Sequence, residues 1–224
     1  MGGSLIYPDY TGLNKQFLVN LNSFVRRYIA EHPDSRLFLV SGGGFIARHY
    51  QDIVSQVLGR KVNNNNKDWI GIHATRNNAQ ALRAIFFDIA DPRLVKHYES
   101  VLDTEKPVVI AAGWKPGWST DYCAVLLARQ HRANVVINLS NITQLFNKDP
   151  KKFPNATPIS KISWKKFRRM VGSEWVPGMN APFDPIAAKE AQRLKKEVVI
   201  LKGDDFENLE RYFSGKKFVG TVIK

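Results

Sequence analysis

The sequence predicts an α/β fold in which a mostly parallel sheet is covered by helices on both faces, as a three-layer αβα sandwich. Short apolar runs alternate with helical patterns almost from end to end of the 224-residue chain. Most of these runs are continuous, which is typical of strands buried on both faces. Repeated strand–helix units favour parallel pairing, because a parallel crossover needs a helix to return the chain.

The individual elements follow from hydrophobic periodicity and capping signals. Apolar residues at helical spacing indicate a first helix over 13–29, which His32-Pro33-Asp34 ends. Ser163 should cap a short helix, and Asp184-Pro185 should open a longer one, since proline fits the first helical position. Further helices are predicted at 45–58, 69–90, 121–130 and 205–213, and strands at 37–41, 108–112, 135–137, 198–201 and 217–223.

Two other features suggest local environments. The asparagine run 63–66 is most simply a solvated, flexible connection between two helices. Trp164 and Trp175 are expected in the core or in an interface, since large aromatic side chains rarely stay exposed.

Composition narrows the class of protein. The formal net charge of +13 and pI near 9.9 favour polyanionic partners such as nucleotides, nucleic acid or an acidic membrane surface, although a diffuse solubilising charge explains them equally well. Cys123 is the single cysteine, so an intrachain disulfide is excluded and a reducing compartment is the natural setting. With neither a signal sequence nor an apolar run of membrane-spanning length, we expect a cytoplasmic protein.

Two glycine turns indicate phosphate binding. Gly2-Gly3-Ser4 opens the sequence, and 42–44 is a run of three glycines between a predicted strand and a helix. Glycine lets main-chain N–H groups approach an anion closely, and a following helix adds the positive end of its dipole. Arg48 and Arg76 lie near these motifs, and arginine can bind phosphate through two hydrogen bonds.

Polar loops follow two further strands, where ligands of open α/β sheets bind. The loop 114–121 offers two hydroxyls, one lysine and the start of a helix, although Thr120 or Asp121 could simply cap that helix. The segments 138–141 and 146–150 place polar side chains around Phe146, as a site for a flat heterocycle would, but such residues are also common in ordinary loops.

Six short motifs occur along the chain in a fixed order. They are Gly-Gly-Ser at 2–4, Gly-Gly-Gly-x-x-Ala-Arg at 42–48, Lys-Asp-x-Ile-Gly-Ile-x-x-Thr-Arg at 67–76, Pro-Gly-x-Ser-Thr-Asp at 116–121, Asn-x-Ser-Asn at 138–141 followed by Lys-Asp-Pro at 148–150, and Phe-Asp-Pro-x-Ala-Ala-Lys at 183–189. No single motif is specific. Their ordered set resembles the amino-acid kinase superfamily and, within it, the archaeal-type uridylate (UMP) kinases.

The resemblance implies a role for each matching residue. The expected contacts to the ATP phosphates are Gly3, Ser4, Gly44 and Arg48, and those to the ATP nucleoside are Ser140, Asn141, Phe146 and Asp149. Gly43 is expected to contact the UMP phosphate and Asp68 to read the UMP nucleoside. The loop that wraps UMP would consist of Lys115, Pro116, Gly117, Trp118, Ser119, Thr120 and Asp121. The expected catalytic residues are Asp121, Arg48 and Lys115, whereas Asp184 and Lys189 match a motif without an assigned role.

The resemblance also implies the overall organisation. The fold would be that of carbamate kinase-like proteins, as one domain over 1–224 with a UMP lobe over about 1–130 and an ATP lobe over about 131–224. The activity would be transfer of the ATP γ-phosphate to UMP in pyrimidine nucleotide synthesis, by a homohexamer built from dimers. Magnesium is expected on the ATP phosphates rather than in a protein cage, because the histidines are scattered.

One departure from the family pattern concerns the start of the sheet. Only Met1 precedes the first glycine turn, where the family usually has a full strand, so we expect the fold to lack that strand. Its loss would expose two rows of backbone donors and acceptors. Two alternatives therefore stay open: an enzyme of the same fold with another acceptor, or a catalytically impaired relative that binds nucleotides or nucleic acid.

Overall fold

Helices and strands alternate along the computed structural model, which describes residues 1–172 and 181–224. The helices are α1 (Gly3–Ile6), α2 (Lys15–Glu31), α3 (Gly44–Leu58), α4 (Asn64–Ile85), α5 (Thr120–Gln130), α6 (Trp164–Val171), α7 (Pro185–Arg193) and α8 (Phe206–Phe213). The strands are β1 (Leu37–Val40), β2 (Val108–Ala111), β3 (Val135–Ser140), β4 (Leu145–Phe146), β5 (Pro158–Ile159), β6 (Lys161–Ile162), β7 (Glu197–Lys202) and β8 (Thr221–Ile223).

The strands form a mostly parallel sheet in two parts. β1 pairs with β2, and β3, β7, β8 and β6 form a four-stranded sheet in that order. All these pairings are parallel except that of β7 with β8, while β4 and β5 form a separate antiparallel pair. Within the described ranges no backbone pairing joins β1 to β3. The predicted α/β class is confirmed, and the break lies in the middle of the sheet.

Helices cover both faces of the sheet. On β2, Val108 and Ile110 pack with the apolar residues of α2 and α4, whereas Val109 and Ala111 face α5. The same alternation on β7 divides its four buried apolar residues between α2 and α8 on one face and α6 and α7 on the other. Because successive side chains of a strand point to opposite faces, two cores form on one sheet. The three-layer prediction is therefore confirmed.

Some predicted boundaries were wrong for local reasons. The asparagine run is not a flexible connection: Asn63 caps α4 by accepting a hydrogen bond from the Asn66 amide, so the helix starts at Asn64 and ends at Ile85. The cap of α5 is Ser119 rather than Thr120 or Asp121. Ser163 and Asp184 cap α6 and α7 as predicted. Trp164 is buried as expected, and Trp175 lies outside the described residues.

Helix α3 exposes an apolar stripe on the outside of the molecule. Tyr50, Ile53, Val54, Val57 and Leu58 are all exposed, and Val57 retains 81% of its accessible surface. Such a patch on a helix is typical of a contact surface with another protein chain. In the part of the chain that the structure describes, no helix combines the length and the apolarity that crossing a membrane requires.

Candidate functional site

The two glycine turns contact each other through their main chains. The Met1 carbonyl accepts a hydrogen bond from the Gly42 amide at 3.0 Å, and the Tyr7 carbonyl accepts one from Phe45 at 2.8 Å. A Cβ atom at Gly3 would collide with the backbone of Gly44, and one at Gly44 would collide with Gly3. The sequence has glycine at both positions because these two main-chain segments leave no room for a side chain.

Helix α4 holds the second glycine turn, 42–44, through one buried side chain. The side-chain amide of Asn78 donates to the carbonyls of Gly42 and Gly43, at 2.9 and 3.1 Å. A Cβ at Gly43 would press on Ala47 and approach Gly71 and Ala74 of α4. Asn78 is almost fully buried, and in residues 1–172 and 181–224 no donor reaches its Oδ1 atom. Sequence reasoning missed Asn78, although a polar residue on the apolar side of a helix signals a buried hydrogen bond.

The same helix positions the loop that follows β2. Thr75 Oγ1 accepts a hydrogen bond from the Gly113 amide at 2.8 Å. Arg76 donates to the carbonyls of Gly113 and Trp114, at 3.2 and 2.8 Å. Arg76, which its motif made a candidate for phosphate, braces this loop with its guanidinium. Thus α4 bonds to the chain after β1 and to the chain after β2, and fixes the two relative to each other.

Asp68 and the loop residue Gly117 are directly joined. The Gly117 amide donates to Asp68 Oδ2 at 2.6 Å. Partial burial raises the pKa of the Asp68 carboxyl, and this hydrogen bond opposes the rise. The structure therefore brings Asp68, near the start of α4, onto the loop 115–121, which contains Pro116 and the exposed Gly117.

Lys115 lies among aromatic rings. Its Nζ is 4.1 Å from the ring centre of Trp114 and 4.7 Å from that of Trp118, and the two indoles meet edge to face. Cation–π contacts of this kind hold an ammonium group in place without neutralising its charge. Trp118 also contacts Tyr122 on α5. The loop consequently presents a fixed positive charge beside flat apolar surfaces.

An acid pair forms where α5 and α7 begin. Asp184 Oδ2 accepts a hydrogen bond from the Ser119 hydroxyl, and its Oδ1 accepts one from the Ile186 amide at 2.7 Å. Asp121 Oδ2 accepts from the backbone N–H of Asp184 at 3.0 Å. The capping hydroxyl of Ser119 thus links the loop 115–121 to α7, and Thr120 is the first residue of α5. Lys189 lies one turn into α7 with an exposed side chain.

Burial raises the pKa of both carboxyl groups in this pair. For Asp121 the pKa rises from 3.8 to about 6, mainly by desolvation; the Asp184 N–H lowers it and the negative charge of Asp184 raises it. For Asp184 desolvation also dominates, opposed by the Ser119 hydroxyl and backbone donors. Asp121 is within electrostatic reach of the amino group of Met1, which adjoins the first glycine turn. A cation or a network of donors at this position would therefore be stabilised.

The residues expected around the ATP nucleoside are less tightly assembled. Ser140 is the last residue of β3. The residue before it, Leu139, accepts a hydrogen bond from the Gly2 amide at 2.8 Å, so this end of the strand adjoins the first glycine turn. Asn141 follows it and is exposed. Phe146 lies in β4 opposite Pro158, and Asp149 organises a turn by accepting from the Lys151 amide at 3.0 Å.

Two charged or polar groups flank the glycine turns from the helices. Ser4 is in α1, and Arg48 is exposed one turn into α3. Helix α3 begins at Gly44, whose φ of +73° only glycine adopts readily.

In the described residues no group of three acidic, histidine or cysteine side chains could enclose a metal ion. The Asp121 and Asp184 oxygens fit Mg²⁺ that is held mainly by phosphate, which needs only one or two carboxylates.

Comparison with known proteins shows which sequences and folds this chain is similar to. The model of the amino acid kinase family matches residues 1–202. Proteins named uridylate kinase from Thermofilum pendens and Thermococcus sibiricus are 33% and 31% identical over the whole chain and 95% and 97% of their own lengths. The crystal structure of a uridylate kinase from Archaeoglobus fulgidus has a TM-score of 0.74 at 30% identity, covering 93% of this chain and 91% of that one. A UMP kinase from Bacillus anthracis has a TM-score of 0.77 at 17% identity, covering 100% and 93%, and shares the fold.

Replacing Gly44 with alanine tests the main-chain contact. We expect the free energy of unfolding to fall by at least about 3 kcal/mol, because the new Cβ meets the Gly3 backbone and the residue must keep a left-handed conformation. Gly59→Ala is the matched control: Gly59 has φ +61° and open space around it, so about 1 to 2 kcal/mol is expected. Urea denaturation measures both, and equal losses would contradict the contact.

The acid pair predicts an unusual pH dependence of stability. Between about pH 4 and 6 the unfolded Asp121 carboxyl ionises while the folded one stays protonated, so the free energy of unfolding should fall as pH rises. Asp121→Asn should remove much of this fall and stabilise the protein at pH 7, on the order of 1 kcal/mol. Urea titrations between about pH 3 and 8 give the curve for each variant.

Asp88→Asn is the control of opposite sign. Asp88 is exposed and paired with Arg26, which lowers the pKa of its carboxyl to about 2. Its contribution is present above the unfolded pKa and is lost as pH falls towards the folded value, so this variant should leave the fall between about pH 4 and 6 intact. If Asp121→Asn also left it intact, the electrostatic description of the acid pair would be wrong.

Proposed function

The chain belongs to the amino acid kinase family, and from this premise we propose that it is a UMP kinase, which transfers the γ-phosphate of ATP to UMP and forms ADP and UDP. The observation that carries the proposal is the contact of Gly3 with the turn 42–44. This contact brings the main chain of the first glycine turn against the start of α3, and main-chain N–H groups at a helix N-terminus suit a phosphate group.

We assign the acceptor side to Gly43, Asp68 and the loop 115–121. Because Asp68 accepts a hydrogen bond from Gly117, a carboxylate that reads the UMP nucleoside would be fixed to the loop that wraps it. Lys115, held between two indoles, supplies positive charge for the acceptor phosphate. The remaining assigned loop residues are Pro116, Trp118, Ser119, Thr120 and Asp121.

We assign the donor side to the first glycine turn and the ends of α3 and β3. Gly3, Ser4 and Gly44 would contact the ATP phosphates, with the dipole of α3 directed at them. Ser140, Asn141, Phe146 and Asp149 would form the nucleoside part, in which the Phe146 ring offers a stacking surface.

The chemistry requires two repelling anions to be held close together. Phosphoryl transfer needs positioning and neutralisation of charge more than covalent participation by the protein. Arg48 and Lys115 supply fixed charge, and the glycine amides supply aligned donors. Asp121 and Asp184 would hold Mg²⁺ together with the ATP phosphates, and the ion would neutralise charge on the transferred group.

We also propose self-association, up to a hexamer built from dimers, and a role in cytoplasmic pyrimidine nucleotide synthesis. The exposed stripe on α3, from Tyr50 to Leu58, supports an interface between copies because five large apolar side chains are exposed there. The buried free Cys123 is compatible with a reducing compartment.

The acceptor is tested by measuring ADP formation from Mg-ATP with UMP, with CMP and with buffer alone. We expect UMP to be preferred, because we assign Asp68 and the loop 115–121, which a hydrogen bond joins, to the acceptor nucleotide. The same assay with an acetylated amino acid, carbamate and an isoprenoid phosphate covers the other acceptors of this fold. Equal rates for UMP and any of these would refute the assignment of UMP.

The catalytic assignments are tested by Arg48→Ala and Asp121→Asn. Each should lower kcat on the order of 100-fold or more, because charge and position are lost in the transition state. Arg83→Ala is the matched control: Arg83 lies in the last turn of α4, bonded to Gln80, and its loss should leave turnover unchanged. Asp121→Asn separates function from folding, since it should raise stability at pH 7 while turnover falls. Near-normal turnover in both variants would count against these roles.

A further inference from the structure

One buried side chain, that of Asn78, holds two consecutive carbonyl groups of the second glycine turn. Asn78 lies on α4 with 1% of its surface exposed. Its side-chain amide donates to the Gly42 carbonyl at 2.9 Å and to the Gly43 carbonyl at 3.1 Å. In residues 1–172 and 181–224 this side chain makes no other hydrogen bond, and its Oδ1 atom is buried without a donor. Both N–H groups of the Asn78 side chain therefore serve this turn.

The bound carbonyls determine which way the next N–H groups point. In a trans peptide the C=O and N–H bonds point in opposite directions, and the described chain has no cis peptide bond. Because the carbonyls of Gly42 and Gly43 point towards Asn78, the N–H groups of Gly43 and Gly44 point away from it. The backbone angles agree: Gly43 is right-handed, with φ −77° and ψ −32°, and Gly44 has φ +73°. That succession turns consecutive N–H groups to one side, where they can bind an anion.

The N–H groups of Gly43 and Gly44 are the ones left for a ligand. The next amide, that of Phe45, already donates to the Tyr7 carbonyl at 2.8 Å. Within the described ranges no backbone or side-chain acceptor bonds to the amides of Gly43 and Gly44. These two glycines are also the residues that we assign to the acceptor phosphate and to the ATP phosphates.

A peptide group between two glycines needs a hold of this kind. Glycine adopts positive and negative φ about equally well, so the 43–44 peptide can rotate at little steric cost. Half a rotation would replace the N–H with the carbonyl oxygen and turn partial negative charge towards a phosphate. The Ser41 hydroxyl also donates to the Gly42 carbonyl, at 3.2 Å. Among the described side chains, however, only Asn78 holds the Gly43 carbonyl.

We propose that Asn78 is a positioning residue for phosphate binding. It holds the peptides 42–43 and 43–44 so that the Gly43 amide donates to the acceptor phosphate and the Gly44 amide to the ATP phosphates. Asn78 itself does not touch the nucleotides. The proposal rests on the proposed function, because that function supplies the two phosphate groups.

The test is Asn78→Ala, which removes both donors without adding charge. Calorimetric titration compares UMP with uridine and ATP with adenosine, pairs that differ only in phosphate. We expect the advantage of each nucleotide over its nucleoside to fall by about 10-fold or more, because the amides are no longer held towards the phosphate. This ratio does not depend on the fraction of folded protein, so a merely structural role of Asn78 would leave it unchanged.

The matched control is Leu82→Ala, a truncation one turn later on the same helix. Leu82 is fully buried in the apolar core. The control should lower the melting temperature and change both ratios by less than about 2-fold. If Asn78→Ala kept the ratios of the unmodified protein, the positioning role would be refuted.

A second measurement uses the unmodified chain, in case Asn78→Ala does not fold. Saturating UMP and ATP should slow hydrogen exchange at the Gly43 and Gly44 amides by about 10-fold or more beyond any change at Phe45, whose N–H is already bonded. Equal slowing at all three amides, or none, would overturn the proposal. Turnover enters neither measurement. If UMP proved not to be the acceptor, the kinase assignment would fail, while the ATP and adenosine pair would still test Asn78.

Discussion

The whole site depends on one steric constraint: two main chains touch at Gly3 and 42–44 with no room for a Cβ atom. The two turns belong to different parts of the chain, and only their contact brings their main-chain atoms onto one surface. The contact explains why glycine is required at these positions more directly than flexibility does. It also explains why the site lies at the carboxyl end of β1, where parallel strands and the next helix leave N–H groups free.

Helix α4 turns this contact into a rigid arrangement. Asn78 fixes the second glycine turn, Thr75 and Arg76 fix the chain after β2, and Asp68 fixes the tip of the following loop. One helix therefore sets the distance between the two strand ends at which the nucleotides are proposed to meet. The acid pair at the start of α5 and α7 places two carboxyl groups in a protein of net positive charge. Their burial disfavours the ionised carboxylates, which raises the pKa of both groups.

Local signals in the sequence predicted much of the fold. Continuous apolar runs identified β1, β2, β3 and β7, and the capping signals at Ser163 and Asp184 were sufficient to place α6 and α7. The asparagine run was misassigned although its signal is local, because Asn63 caps α4 through the Asn66 amide three residues later. The partners of Arg76 could not be predicted, because it bonds to carbonyls 37 and 38 residues away. The hydrogen bonds of Asn78 to the second glycine turn likewise form only once distant segments meet.

The most direct test of the central claim is calorimetric titration with a compound that joins uridine and adenosine through a chain of five phosphates. If both glycine turns hold phosphate at adjacent strand ends, this compound should bind on the order of 100-fold more tightly than UMP alone, because the second half binds at high effective concentration. Gly44→Ala should remove that advantage. Binding no tighter than that of UMP, or mutual exclusion of UMP and ATP, would contradict the account.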